Sequence, residues 1–167
     1  MLGRVTIGLF NSYDPVRFRE AHRRTLARAG PLALAFDCNL ATLGFPYDKE
    51  LSTPAEIAAW VSTTTSIGEE GGYLVQLSEK GRFSAFDFPK KGFPPQLGEA
   101  IVTTRKPAKG CSVAPEEVRS MLRSGRSALL VFGLGPHGLP KEVFGLSKKH
   151  LDITTRGMSL ETCTALG

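Results

Sequence analysis

Short apolar runs recur along this sequence and alternate with segments that carry helix-start signals. The most apolar run is 127–132 (SALLVF), and comparable runs lie at 4–10 and 100–104. Continuous apolar runs of this length indicate strands that are buried on both faces, as in a parallel sheet covered by helices. The sequence therefore predicts an α/β fold in which a mainly parallel sheet is flanked by helices.

The segment 14–36 carries the first helix signals. Asp14-Pro15 supplies a helix N-cap followed by a first-turn proline, and Gly30 is the residue type that most readily ends a helix in the left-handed conformation. These signals predict a helix from there to about Ala29. The apolar run 31–36 (PLALAF) then predicts a second buried strand, which gives the chain an opening β-α-β unit.

Further elements follow from local signals. The sequence TPAE, starting at Thr53, is a capping box that predicts a helix to about Ser62, and the segment 115–124 predicts another helix. A short strand is expected at 151–153. The segment 63–95 contains paired glycines and an apolar run that fits either a helix or a strand, so both alternatives remain open there.

The composition is typical of soluble globular proteins, with 41% hydrophobic and 22% charged residues. The length predicts one domain over 1–167. No apolar run approaches the ~20 residues that a membrane span requires, and no secretion signal is visible, so we expect no membrane partner. Cys38, Cys111 and Cys163 lack the short paired spacings of zinc or disulfide frameworks. We therefore expect reduced thiols in the cytoplasm and no metal site.

The net charge of +5 favours polyanionic partners such as RNA. Basic residues are concentrated in the predicted first helix, which also contains His22. Its arginines are Arg17, Arg19, Arg23, Arg24 and Arg28. On a helix, Arg17, Arg24 and Arg28 would form one stripe beside an apolar one. Arginine without lysine favours bidentate contact with phosphates, so these residues predict RNA binding, and a solvated helix face is the alternative.

A glycine-rich loop, 133–140 (GLGPHGLP), follows the most apolar strand and matches the G-x-G-x-x-G pattern of dinucleotide-binding folds. Such folds build several more strands after this turn, whereas only 29 residues follow Gly138 (167 minus 138), which disfavours a nucleotide-binding dehydrogenase. Ligands of parallel sheets bind outside the carboxyl ends of the strands. The candidate binding loops are therefore those after 100–104, 127–132 and 151–153.

Two of these loops resemble the cofactor motifs of SPOUT methyltransferases. The segment 131–140 (VFGLGPHGLP) resembles the second motif, and 151–165 (LDITTRGMSLETCTA) is similar to the third, in which Ser-Leu opens the last helix. The segment 24–30 (RTLARAG) resembles the first motif. The resemblance covers nearly the whole chain. It implies a C-terminal deep trefoil knot, S-adenosylmethionine as the cofactor, methyl transfer to tRNA or rRNA at a ribose 2′-oxygen or a base, and a homodimer that completes the pocket.

The resemblance also implies which residues form the site. The expected cofactor contacts are Thr103, Thr104, Gly133, Leu134, Gly135, Gly138, Leu151, Ile153, Thr155, Met158 and Leu160. Arg24 is the leading catalytic candidate, as a phosphate clamp or electrostatic aid, and the alternative is a solvated arginine. His137 is a candidate proton relay, the alternative being an exposed or hydrogen-bonding loop histidine. Glu161 is either a base or a negative charge that the dipole of the last helix favours.

Three positions depart from the ribose-methylating branch of that superfamily. Where the branch has asparagine, glutamate and asparagine in its three motifs, this chain has Ala21, Gly135 and Glu161. The alternative function is therefore a catalytically silent SPOUT-like RNA-binding protein. Because a branched side chain would fill the space that the ligand needs, we expect Gly135→Val to abolish cofactor binding with little loss of stability.

Overall fold

The computed structural model describes residues 1–64, 71–135 and 138–166, which form seven strands and six α-helices. The strands are Val5–Phe10 (β1), Asn39–Leu43 (β2), Phe83–Phe86 (β3), Glu99–Thr103 (β4), Ser112–Val113 (β5), Ala128–Gly133 (β6) and Lys149–Leu151 (β7). The helices are Glu20–Ala35 (α1), Pro54–Thr64 (α2), Gly71–Glu79 (α3), Pro115–Arg123 (α4), Lys141–Phe144 (α5) and Thr162–Leu166 (α6).

All seven strands join one sheet in the order β3-β2-β1-β6-β4-β7-β5, and every neighbouring pair is parallel. The predicted α/β class with a parallel sheet flanked by helices is therefore confirmed. Because all strands run the same way, their carboxyl ends lie at one edge of the sheet. The loops that follow the adjacent strands β1, β6, β4 and β7 consequently gather at that edge.

The first helix differs from its predicted bounds at both ends. The Asp14 carboxylate accepts hydrogen bonds from the backbone N–H groups of Val16 and Arg17, each at 2.9 Å, so it caps a turn, and α1 begins only at Glu20. These hydrogen bonds hold the pKa of Asp14 well below its usual value. The predicted helix start at Asp14-Pro15 is therefore wrong, because a local turn satisfies the same signals.

The predicted helix end at Gly30 and the predicted strand at 31–36 are also wrong. Helix α1 continues through Gly30 and Pro31 to Ala35, and the second strand is Asn39–Leu43. A β-carbon built on Gly30 would lie 3.2 Å from the backbone nitrogen of Leu74 in α3. Gly30 thus permits close packing of two helices instead of ending one.

The remaining elements agree better with the predictions from the sequence. The capping box of α2 is confirmed, since the backbone N–H of Glu56 donates to Thr53 Oγ1 and that of Thr53 donates to the Glu56 carboxylate, both at 3.2 Å. Helix α4 matches the prediction within a residue. Strand β7 lies two residues before the predicted 151–153. The segment 63–95 contains both alternatives, helix α3 and strand β3.

The sheet has apolar cores on both faces. On one face, Leu9 and Leu40 pack with α1, α2 and α3, and the largest buried side chain from α1 is Leu26. On the other face, Leu43 and Leu129 pack with α5 and the segment that precedes β4. Among the described helices, none is long and apolar enough to cross a membrane.

Candidate functional site

A cavity of about 870 Å³ lies at the carboxyl edge of the sheet. Its walls are the loops after β4, β6 and β7, together with the first turns of α1 and the start of α6. This volume is in the range of sites that enclose cofactor-sized ligands. The three loops are those predicted from the sequence, and the parallel topology brings them together.

The cavity gathers all but two of the predicted cofactor residues. Those that line it are Thr103, Thr104, Gly133, Leu134, Gly135, Gly138, Ile153, Met158 and Leu160. Leu151 is not among the lining residues, because its side chain packs in the core beside Ile101 and Met121. Thr155 is exposed and also lies outside the lining.

The glycine loop after β6 folds back on itself. A β-carbon built on Gly133 would lie 2.8 Å from the carbonyl carbon of Gly138, so this position requires glycine for the loop's own packing. Gly135 has φ +86°, a conformation that a β-branched residue adopts only at a considerable cost. The expectation that Gly135→Val leaves stability nearly unchanged is therefore wrong, since the substitution would strain the loop itself.

Two hydroxyl groups from distant segments fix this loop. Ser12 Oγ donates to the carbonyl oxygen of Leu134 at 2.5 Å and accepts from the backbone N–H of the same residue at 2.7 Å. Thr162 Oγ1, at the start of α6, donates to the carbonyl oxygen of Gly133 at 2.6 Å. The loop's conformation therefore depends on the segment after β1 and on α6. The loop's own sequence does not reveal this dependence.

Hydrogen bonds also fix the end of β4 and the loop after β7. Thr103 Oγ1 donates to the carbonyl oxygen of Val131 at 2.7 Å. The Asp152 carboxylate accepts from the Thr154 hydroxyl at 2.9 Å and from the backbone N–H groups of Thr154 and Gly157 at 3.1 and 2.6 Å. Partial burial opposes ionisation of Asp152, but these hydrogen bonds outweigh it and lower the pKa of the carboxyl. Asp152 is thus an ionised anchor of its loop.

The cavity wall carries both signs of charge. Arg24 lines it from α1 and is exposed, and Arg105 and Lys106 line it from the loop after β4. Asp152 and Glu161 supply the negative charges of the same lining. The sequence placed Arg105 in the candidate binding loop after 100–104, whereas Lys106 was not identified, although its place just after a strand at the carboxyl edge was the available signal.

Glu161 precedes α6 and caps it. Its Oε2 accepts a hydrogen bond from the backbone N–H of Thr164 at 3.2 Å, and its carbonyl oxygen accepts from Ala165 at 2.9 Å. This arrangement agrees with the predicted alternative of a charge favoured by the helix N-terminus. The remaining catalytic candidate, His137, lies outside the described residues.

The predicted arginine stripe is only partly on a helix. Arg17 and Arg19 precede α1, so Arg17 cannot share a helical face with Arg24 and Arg28, and that expectation is wrong. Arg19 forms an ion pair with Asp14 at 2.9 Å, and Arg23 pairs with Glu20. Arg24 and Arg28, four residues apart on α1, are exposed, and neither pairs with a carboxylate of the described chain.

A buried histidine organises the segment between β1 and α1. His22 Nδ1 accepts a hydrogen bond from the backbone N–H of Arg19 at 2.9 Å, so Nε2 carries the proton and donates to Asn11 Oδ1 at 2.8 Å. Asn11 Nδ2 donates to the carbonyl oxygens of Asp14 and Gly44. Burial lowers the pKa of His22, which keeps the ring neutral.

Comparison with known proteins places the chain in a family. Residues 5–167 match the model of the family described as protein of unknown function, DUF531, and the chain belongs to this family. An uncharacterized protein of Methanocaldococcus jannaschii is 43% identical over 166 residues, which cover 99% of this chain and 90% of that protein.

Solved structures share the fold at low sequence identity. One, described for the 2-OH methylation of C/U34 on tRNA, has a TM-score of 0.57 at 16% identity and covers 99% of this chain and 85% of its own. An AdoMet-bound rRNA methyltransferase from Sinorhizobium meliloti has a TM-score of 0.51 at 15% identity, covering 99% of this chain and 54% of its own. The chain therefore has the fold of the SPOUT-type methylases, and the resemblance noted in the sequence is confirmed at the level of fold.

Proposed function

We propose that this protein is an S-adenosylmethionine-dependent RNA methyltransferase that acts on tRNA or rRNA. The observation that carries the proposal is the cavity between the loops after β4, β6 and β7, at the carboxyl edge of a SPOUT-type sheet. The methylation of tRNA and rRNA by proteins with the same fold supports the substrate class. The net charge of +5 supports a polyanionic substrate.

The cavity lining suits the parts of S-adenosylmethionine. Leu134, Leu139 and Leu160 supply apolar surface for an adenine ring. A β-carbon built on Gly138 would meet nothing within 4 Å, so its backbone is open to a close ligand. The carboxylates of Asp152 and Glu161 offer negative charge to the ligand's cationic groups. These features support the predicted contacts other than Leu151, which packs in the core, and Thr155, which lies outside the lining.

The cofactor, when bound, supplies an activated methyl group, and the protein's task is to align the nucleophile with it. Arg24 lies on the cavity wall, where its charge holds a substrate phosphate near the methyl group. Backbone N–H groups of its own loop lower the pKa of Asp152, which makes it a poor proton acceptor, and the Glu161 carboxylate is engaged in capping α6. A base nitrogen with a free lone pair needs no general base, so these carboxylates favour base methylation over ribose methylation.

The proposal includes the deep knot and the homodimer that the resemblance implies. Helix α6 packs against α1, as expected for a C-terminal segment that passes through an earlier loop. Within the cavity lining, the apolar side chains of Ile153, Met158 and Leu160 are 38%, 57% and 39% exposed. A second copy that covers them would both bury apolar surface and complete the pocket.

A catalytically silent RNA-binding protein is the second candidate. The observation that favours it is that Ala21, Gly135 and Glu161, the three departures from the ribose-methylating branch, all line the cavity. Such a protein would keep the fold and the basic residues and would not transfer methyl groups. Calorimetry with S-adenosylmethionine separates the two, because a silent module has no need for micromolar cofactor affinity.

A matched pair of arginine variants tests the enzyme directly. We expect the wild-type protein to transfer a tritiated methyl group from S-adenosylmethionine to unmodified tRNA or rRNA transcripts. Arg24→Ala should lower kcat at least about tenfold, because this residue lines the cavity. Arg28→Ala, one turn away and outside the lining, should instead weaken RNA binding and reduce the salt slope by about one unit. Cofactor binding without transfer to any transcript would favour the silent alternative.

A further inference from the structure

Ser12 and Tyr13, in the segment directly after β1, lie against the glycine loop. Tyr13 is 53% exposed, and a β-carbon built on Gly135 would lie 3.5 Å from Tyr13 Cδ2. Ser12 makes its two hydrogen bonds to Leu134, the residue before Gly135. Since Leu134 and Gly135 both line the cavity, the Tyr13 ring stands at the cavity rim without being part of its lining.

The position of this exposed ring is fixed. The backbone N–H of Tyr13 donates to Asn11 Oδ1 at 3.2 Å, and the Tyr13 ring meets the His22 ring edge-on, with centroids 5.9 Å apart. Asn11 in turn is held by His22 and by the carbonyl oxygen of Gly44. An aromatic ring that already packs against a neighbouring ring, yet is half exposed, provides a stacking surface at a reduced cost in conformational entropy.

We infer that Tyr13 is the stacking platform for an unpaired nucleobase of the RNA at the mouth of the cavity, an inference that rests on the proposed function. Proteins bind unpaired RNA by stacking bases on aromatic side chains while cations contact the phosphates. Arg24, Arg105 and Lys106 line the same cavity and supply those cations. The ring's place at the rim, outside the lining, assigns it to the RNA and not to the cofactor's adenine.

The test uses a single-stranded RNA of about 12 nucleotides that contains 5-iodouridine, with the full-length protein. We expect ultraviolet irradiation to crosslink the RNA to Tyr13, identified by mass spectrometry. Tyr13→Ala should weaken RNA binding roughly 5- to 100-fold, and Tyr13→Phe should restore most of the affinity. The matched control is Phe88→Ala, which removes a 38% exposed ring at the same sheet edge that packs on Phe10, and RNA affinity should not change.

Calorimetry with S-adenosylmethionine on Tyr13→Ala completes the test. Unchanged cofactor affinity together with weakened RNA binding supports the stacking role. Weakened cofactor binding with unchanged RNA binding would overturn it and make Tyr13 part of the cofactor site. Equal losses of RNA affinity in Tyr13→Ala and Phe88→Ala would also overturn it. Failure of the wild-type protein to bind cofactor would contradict the proposed function, whereas the crosslink and the RNA affinities test Tyr13 independently.

Discussion

The two edges of the sheet differ in how their loops are joined. At the amino edge, Ser147 Oγ donates to the carbonyl oxygen of Ala100 at 2.6 Å, and Glu99 forms ion pairs with Arg126 and with Lys149, the latter at 3.0 Å. These contacts link the beginnings of β4, β6 and β7 directly to one another. At the carboxyl edge, the loops after the same three strands separate around a cavity of about 870 Å³.

This difference indicates that the amino edge serves the structure of the sheet and that the carboxyl edge forms the candidate site. At the amino edge, side chains of one loop bond the neighbouring strand, which leaves little room for a ligand. At the carboxyl edge, Ser12 Oγ and Thr162 Oγ1 hold the glycine loop from outside, and the Asp152 carboxylate holds the loop after β7 from within, so the cavity between the loops stays open. We therefore expect substitutions at the amino edge and in the core to change stability, and those at the carboxyl edge to change ligand binding.

The largest effects are expected at two buried leucines, one in β6 and one in the loop that follows it. Leu129 is fully buried in the core and Leu134, 2% exposed, lines the cavity. Replacing either with alanine should lower the free energy of unfolding by about 2–5 kcal/mol, measured by urea denaturation, because each leaves a cavity. Only Leu134→Ala should also raise the Kd for S-adenosylmethionine. Equal cofactor affinity in the two folded variants would remove the distinction between the edges.

A pair of serines gives a smaller but more selective comparison. Ser12 bonds the backbone of Leu134 at the carboxyl edge, and Ser147 bonds the backbone of Ala100 and Lys149 at the amino edge. Ser12→Ala should weaken cofactor binding about tenfold, since it frees the Leu134 peptide to change orientation. Ser147→Ala should cost about 1–2 kcal/mol of unfolding free energy with no change in cofactor Kd. Calorimetry and urea denaturation of both variants check this pair, and the reverse pattern would contradict it.

The smallest expected effect is a pH dependence at His22. The pKa of His22 is lowered by burial, so the folded protein binds fewer protons there than the unfolded chain. The resulting stability is present above about pH 6.5 and is lost as the pH falls from there through the pKa of the folded state. The slope from this one group stays below about 1.4 kcal/mol per pH unit.

The measurement is the free energy of unfolding of the wild-type protein and of His22→Gln between about pH 7.5 and 5. The variant should lose part of the pH dependence, because its side chain does not titrate. Asp14 and Asp152 have lowered pKa values and contribute only at more acidic pH, below the usual carboxyl range. Identical pH profiles for the two proteins would show that His22 does not titrate in this window.

The sequence predicted the sheet better than the first helix. Runs such as 127–132 are apolar throughout because both faces of the strand are buried, and that burial also made the parallel arrangement predictable. The strand predicted at 31–36 was wrong because a short apolar segment suits a helix as well as a strand. Gly30 predicted a helix end, although its role is close contact with Leu74, a residue 44 positions away that no local signal reveals.

The candidate site was likewise predictable only in part. The glycine loop and its two partner loops were predictable because strand ends of a parallel sheet meet at one edge. The role of Ser12 was not, since its contact with Leu134 spans 122 residues and its sequence context shows only a polar residue after a strand. Tyr13 escaped notice for the same reason, because its proximity to Gly135 exists only in the folded chain.

A crystal structure of this protein with S-adenosylhomocysteine, the demethylated product of the cofactor, tests the methyltransferase assignment most directly. We predict that the ligand lies in the carboxyl-edge cavity, in contact with the backbone of Gly133, Gly135 and Gly138 and with Leu160. A ligand bound elsewhere on the chain, or an empty cavity at saturating ligand concentration, would contradict the assignment of this cavity as a methyltransferase site.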